Sequence, residues 1–280
     1  MTITKTTTAT SSGQPAGTAA RARHLAGLTD VAEVRTDTFQ LAQVQLARVV
    51  RTGGIAAVSG RPGCGKTFSV DYFMRHHPAM DGRVWHWLDM PPKPTTKEVT
   101  LRLLRGLGAR FNPRDSEYVL TEDLVPLLAG SGMVVVIDEA QNLRAEGLQQ
   151  LRYLHDRCRP LSPDDPPGWA LILVGSTVDR ALAGAAELAS RVSTWVEFTR
   201  LEDQQLIVAL RAWSPLLADL PPDVLLRIDA RHGRGNWRNW AQFLAAYTDL
   251  HTRRPPNTTE DRKKLVRAAL AAVNKNKGTR

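Results

Sequence analysis

The sequence predicts an α/β fold, a parallel five-stranded sheet covered by helices on both faces and followed by a small all-helical region. Three observations carry that prediction. An apolar run at 55–59 empties into Gly60-Arg61-Pro62-Gly63-Cys64-Gly65-Lys66-Thr67. A second run, 133–137, is apolar at every position and ends in Asp138-Glu139, as a parallel strand buried on both faces reads. Beyond Leu201 the β signals stop and helical periodicity takes over.

In chain order, the Thr/Ser-rich segment 1–20 reads as a flexible tail. The segment 21–51 carries Leu41, Val44, Leu46, Val49 and Val50 at helical spacing, so one or two helices precede the first strand, with Gly53-Gly54 as the stop. Strand one is 55–59, and the glycine-rich loop feeds a helix over 65–77 that Pro78 ends. Strand two, 83–90, stops at Pro91-Pro92-Lys93-Pro94. Helices over 96–108 and 116–128 cover the sheet, strand three is 133–137, and a helix spans 148–159. A proline-rich loop, 160–168, leads to strand four at 170–174, a helix over 178–188 and strand five at 194–198. Strands alternating with helices imply right-handed crossovers and a parallel sheet. Four helices follow, over 202–218, 223–230, 237–250 and 260–274.

The loop after strand one is a P-loop. Its glycines let backbone N–H groups turn inward on a phosphate chain, and the helix that opens at Gly65 adds the positive end of its dipole. Lys66 reaches the β- and γ-phosphates, and the Thr67 hydroxyl suits Mg²⁺. Gly60, Arg61, Pro62, Gly63, Cys64, Gly65, Lys66 and Thr67, with Phe68 behind them, are the candidate ATP-binding residues. Asp138 at its strand end joins Thr67 in the Mg²⁺ shell, and Glu139 beside it orients and polarises an attacking water. Strand four ends at Gly175-Ser176, which places Ser176 near the γ-phosphate, with Thr177 as the competing choice.

Composition narrows the partners. The 280 residues carry a formal charge of +9, and nine Lys or Arg stand against two acids between His251 and Arg280. That excess fits a polyanionic partner or a solvated basic end. Two cysteines, Cys64 and Cys158, make neither a metal set nor a disulfide framework. With no apolar run of membrane-spanning length and no signal-peptide core at the N-terminus, a soluble cytoplasmic protein is expected.

These residues resemble the AAA+ ATPases. Gly60 to Thr67 looks like Walker A, Asp138-Glu139 like Walker B and Ser176 like sensor 1, and a helical lid closes the chain. The resemblance implies an αβα P-loop NTPase core over 21–200, with strand order 5-1-4-3-2, and a lid with a basic extension over 201–280. It also implies a ring or helical homo-oligomer with ATP at subunit interfaces. Arg191 occupies the arginine-finger position before strand five, with Arg180 as its rival. Arg238 occupies the position of the sensor 2 arginine, with Arg234 close by. Trp237 and Trp240 read as lid core.

A narrower resemblance, to transposition regulators of the MuB, TniB and TnsC kind, rests on Asp138-Glu-Ala-Gln-Asn-Leu143, the helix that carries Leu148 to His155, the compact module and the basic end. It implies an oligomer wrapped around double-stranded DNA that recruits or stimulates a transposase or integrase. Lys93, Lys97, Arg110 and Arg114 are the candidate DNA contacts, each readable also as a solvated charge, and sequence-tolerant binding is expected. A helicase loader or replication initiator, and a nucleotide-switched scaffold without nucleic acid, are the alternatives.

Overall fold

The computed structural model describes residues 28, 31–160, 162 and 165–275. The tail expected over 1–20, Lys277 and Arg280 lie outside the described residues. In chain order the elements are α1 (Asp37–Thr52), β1 (Ile55–Gly60), α2 (Lys66–His76), β2 (Trp85–Asp89), α3 (Thr96–Gly106) and α4 (Glu117–Leu128). Then come β3 (Val134–Asp138), α5 (Ala145–Arg157), β4 (Ala170–Val174), α6 (Val178–Ala183), α7 (Ala186–Ala189) and β5 (Val192–Phe198). The chain closes with α8 (Asp203–Trp213), α9 (Pro215–Ala218), α10 (Pro222–Ile228), α11 (Trp237–Arg253) and α12 (Thr259–Lys275).

Among the described residues there are two compact units: a core of Asp37–Arg61 and Gly65–Phe198, and a helical unit of 28, 31–36, 62–64 and 199–275. In the core, five parallel strands stand in the order β2-β3-β4-β1-β5, as the family resemblance implies. Val134, Val135, Val136 and Ile137 of β3 are fully buried, which explains why the run is apolar at every position rather than alternating. One face carries Ile55, Ala57, Val135, Ile137, Leu171 and Leu173 against α3 to α7. On the alternate residues of these strands, α1 and α2 supply the cover, α1 lying against β1, β4 and β5 and α2 against β1.

Three expectations are corrected. The helix expected over 178–188 is two, because Gly184 closes α6, its N–H bonding back to Ala181 O and Leu182 O; this break allows both Ala185 and Leu188 to turn into the core. The helix expected over 202–218 breaks at Pro215, whose ring cannot follow Ser214 in a continuous helix and instead starts α9. On α1, Leu41 and Val44 are exposed, and the core face is formed by Phe39, Ala42, Leu46, Val49 and Val50.

The helical unit has its own core, built from Leu210, Trp213, Leu225, Trp240, Phe243, Leu244 and Tyr247. Trp240 is buried, edge-on to Phe243, and Trp213 meets Trp237 edge-on, so the tryptophans are core residues as expected. The basic end, expected as an extension, is helix α12, docked on this core through Leu265, Val266 and Ala269, with Lys263, Lys264 and Arg267 exposed.

One polar centre organises the turn before α11. The Asp229 carboxylate, 1% exposed, accepts from Trp240 Nε1 at 2.9 Å, Gly235 N at 2.8 Å and Arg200 Nη2 at 2.5 Å. Asp229→Ala strands two of these donors in the interior. It is expected to destabilise the helical unit by about 2–4 kcal/mol, read as a lower urea midpoint at an unchanged denaturant slope.

Candidate functional site

The site begins with backbone geometry. Gly60 ends β1 at φ 140° and Gly65 precedes α2 at φ 101°, conformations that side-chain-bearing residues rarely adopt, and a Cβ on Gly60 would overlap the Phe198 carbonyl. The loop leads directly into the first turn of α2, whose N–H groups have no acceptor within the helix and are open to an anion. Lys66, the first residue of α2, is buried, and its ammonium donates to Gly60 O at 2.6 Å and Arg61 O at 2.9 Å. A lysine charge held at a glycine loop and a helix N-terminus fits a polyphosphate. Thr67 is half-buried and Phe68 exposed behind it.

Three neighbouring strands deliver the remaining groups. β4 pairs with both β1 and β3, and Gly175 N donates to Val58 O at 3.1 Å, so the C-terminal ends of β1, β4 and β3 lie side by side. Asp138 ends β3, and its Oδ1 accepts the Glu139 N–H at 2.9 Å. Glu139 adopts the left-handed conformation, φ 53° and ψ 36°, at a cost of about 1 kcal/mol that the turn over Ala140–Asn142 sustains. Thr67 and Asp138 are the residues that would hold Mg²⁺, whose part is to offset phosphate charge.

The structure also supplies a residue that sequence reading passed over as part of a run. Gln141 donates through Nε2 to Glu139 Oε2 and accepts the Ser176 N–H on Oε1 at 3.1 Å. It thereby joins the Walker B-like carboxylate to the strand-end serine. The turn that carries it is anchored by Asn142 Nδ2 donating to Met90 O at 2.8 Å.

The arginines are distributed differently. Arg191 precedes β5, at the end of the sheet opposite the Asp138 and Gly60 termini, and donates to Asp156 Oδ1 at 3.0 Å and Oδ2 at 3.4 Å. Asp156 also takes Arg152 at 3.0 Å; burial works against its charge, yet the two guanidiniums outweigh it and hold its carboxyl below the usual range. Arg180 is exposed on α6, which follows the C-terminal end of β4. In the helical unit, Arg238 is exposed in the first turn of α11, and Arg234 is exposed with φ 52°.

Asn236 is the second residue whose role the sequence did not disclose. It caps α11, accepting from Arg238 N at 2.8 Å and Asn239 N at 3.3 Å, and its Nδ2 donates to Pro62 O at 3.0 Å. Trp237 N donates to Gly63 O at 2.8 Å. Pro62 and Gly63 thus take their partners from the first turn of α11.

Of the candidate DNA contacts, Lys93, Arg110 and Arg114 are exposed, Lys93 with φ 53° in the loop after β2. Lys97 is half-buried and donates to Asp115 O at 2.7 Å, which ties the start of α3 to the α3–α4 loop that carries Arg110 and Arg114. Asn112 braces that loop by accepting Arg114 N at 3.1 Å and donating to Asp115 Oδ1 at 3.0 Å. Among the described residues no His/Cys/Asp/Glu cluster has metal-binding geometry, and no helix is long and apolar enough to cross a membrane.

The AAA domain family matches residues 48–179. The ATP-dependent target DNA activator B of Escherichia phage D108 is 32% identical over 222 residues, covering 77% of this chain and 66% of that protein. The activator of the same description from Escherichia phage Mu is 32% identical over 126 residues, 45% of this chain and 39% of its own. The chain therefore spans just under two thirds of the D108 protein's length and less than half of the Mu protein's. The crystal structure of Cdc6p from Pyrobaculum aerophilum superposes with a TM-score of 0.63 at 18% identity, over 84% of this chain and 66% of that one, a likeness of fold. The glycine loop and Asp138-Glu139 at the ends of β1 and β3, in a β2-β3-β4-β1-β5 sheet, agree with these likenesses, which together support a MuB-like AAA+ P-loop ATPase.

Proposed function

We propose that this protein is an ATP-dependent DNA-binding ATPase of transposition, whose ATP-bound copies assemble on double-stranded target DNA and recruit or stimulate a transposase or integrase. The observation that carries the reading is the convergence of Lys66, Asp138, Glu139 and Ser176 at three adjacent strand ends, in a chain whose relatives are described as ATP-dependent target DNA activators. Lys66 and the loop amides bind the triphosphate, Thr67 and Asp138 hold Mg²⁺, and Glu139 takes the proton of the attacking water. Ser176 reads the γ-phosphate. Arg191 of a neighbouring copy supplies transition-state charge after leaving Asp156, a half-exposed pair that is cheap to exchange. Hydrolysis then releases the assembly from DNA.

The charge pattern supports DNA as the polyanion. Lys93, Arg110 and Arg114 lie on loops joined through Lys97, and Lys263, Lys264 and Arg267 line the exposed side of α12. Charges on loop tips and an outer helix face suit phosphate contact without base reading.

Gel-shift titration of a random-sequence duplex tests this. Binding is expected with ATP and not with ADP, with little preference among sequences. Affinity should fall roughly a thousandfold between 50 and 200 mM salt if about six phosphates are neutralised. Lys93→Ala with Arg110→Ala and Arg114→Ala should weaken all duplexes alike and flatten the salt slope. Equal binding with and without ATP, or at low and high salt, would overturn the proposal.

A further inference from the structure

We propose that Gln141 is a positioning residue for hydrolysis, acting as a two-sided clamp that sets the Glu139 carboxylate against the end of β4. The inference rests on the ATPase reading of Glu139 and adds a residue to it that no motif assigns.

The hydrogen-bond chemistry leaves the carboxamide one orientation. Ser176 N–H is only a donor, so the atom facing it at 3.1 Å must be Oε1. The Glu139 carboxylate is only an acceptor, so the NH₂ must face it, as it does. An amide offers both an acceptor and a donor there, which a carboxylate or an apolar side chain does not. Asparagine lacks the methylene that Gln141 uses to span both partners.

Two surrounding features fit this role. The turn over Ala140–Asn142 is fixed at both ends, with Asn142 N donating to Glu139 O at 2.8 Å, Asn142 Nδ2 to Met90 O at 2.8 Å, and Ala140 buried. In addition, Gly175 has no side chain where one would collide with Gln141: a Cβ built there would overlap Oε1. The end of β4 is thus shaped around the amide.

The mechanical consequence is specific. Glu139 sits on strained left-handed backbone and its side chain is exposed, so packing alone does not hold its carboxylate. Fixing Oε2 restricts rotation about the last side-chain bond and sets where Oε1 lies. Because the same amide takes the Ser176 N–H, the base and the residue proposed to read the γ-phosphate move together. Water attack is sensitive to this placement, since a displacement of about 1 Å in a reacting group can cost a hundredfold.

The test uses the full chain with DNA and ATP and compares Gln141→Met, Gln141→Glu, Gly175→Ala and Glu139→Gln. Gln141→Met keeps the volume and removes both bonds. Gln141→Glu keeps the acceptor for Ser176 but turns a like charge on Glu139. Gly175→Ala leaves Gln141 in the chain and displaces the far end of its side chain, with a smaller shift of the Val178 methyl that the added Cβ would meet at 2.9 Å. In all three, kcat should fall roughly ten- to a hundredfold while the Kd for a fluorescent ATP analogue stays within about twofold. The decisive readout is the double variant: Gln141→Met added to Glu139→Gln should cost no further activity, because a residue that acts through Glu139 has nothing left to position.

Independent losses that multiply, a kcat within twofold of the parent in both Gln141→Met and Gly175→Ala, or ATP binding lost in step with turnover would overturn the proposal. If Gln141→Met does not fold, Gly175→Ala with the same double-variant comparison decides. Normal turnover by Glu139→Gln alone would instead refute Glu139 as the base, so the two readings fail separately.

Discussion

Lys66→Ala is expected to abolish nucleotide binding and, with it, ATP-dependent loading on DNA. The lysine is buried at the first position of α2, and its ammonium lies 2.6 and 2.9 Å from the Gly60 and Arg61 carbonyls. It therefore does two things in the loop: it satisfies inward-facing carbonyl oxygens, and it sets a positive charge where the phosphates must pack. Alanine leaves those oxygens facing the phosphates, so attraction becomes repulsion. The expected loss in ATP affinity is at least about a hundredfold, equivalent to ~3 kcal/mol, and titration with a fluorescent ATP analogue measures it. The fold should persist, since Val70, Phe73 and Met74 anchor α2 and none of them touches this charge's role. An affinity within fivefold of the parent would remove Lys66 from the phosphate site.

Glu139→Gln is expected to separate binding from turnover. Glutamine matches the shape of glutamate, can still accept from Gln141 through its carbonyl oxygen, and has the same backbone preferences at φ 53°, so stability should change by less than about 0.5 kcal/mol. It cannot take a proton from water. Hydrolysis should drop about 10²- to 10⁴-fold while ATP affinity is retained, and complexes on DNA should outlast those of the parent when excess competitor duplex is added. A variant that binds ATP, turns over slowly and still leaves DNA at the parental rate would detach hydrolysis from release and count against the proposed cycle.

The residues that can be read from the chain are those whose chemistry depends on near neighbours. Gly60 and Gly65 announce a phosphate loop because their conformations are a local demand, and β3 reads as doubly buried because its burial is written into consecutive positions. Asp138 and Glu139 follow from being at the end of such a strand. Pro215 is equally visible, but the apolar period continues through it into α9 and masks the break. The split at Gly184 is subtler, because alanine-rich sequence on both sides favours helix and only the packing of Ala185 and Leu188 selects the break.

Nothing local marks the role of Gln141, which meets Ser176 across 35 positions, or of Asn236, whose partner Pro62 is 174 positions away. Arg191 shows the same limit from the other side: its place before β5 is readable, but its engagement with Asp156, 35 residues earlier, is not. By itself the sequence determined the parallel sheet, the glycine loop and the acidic strand end, because local periodicity and backbone conformation suffice for each. Which side chains meet was decided only by the tertiary structure, since a hydrogen bond between distant residues exists only once the strand order has set their separation.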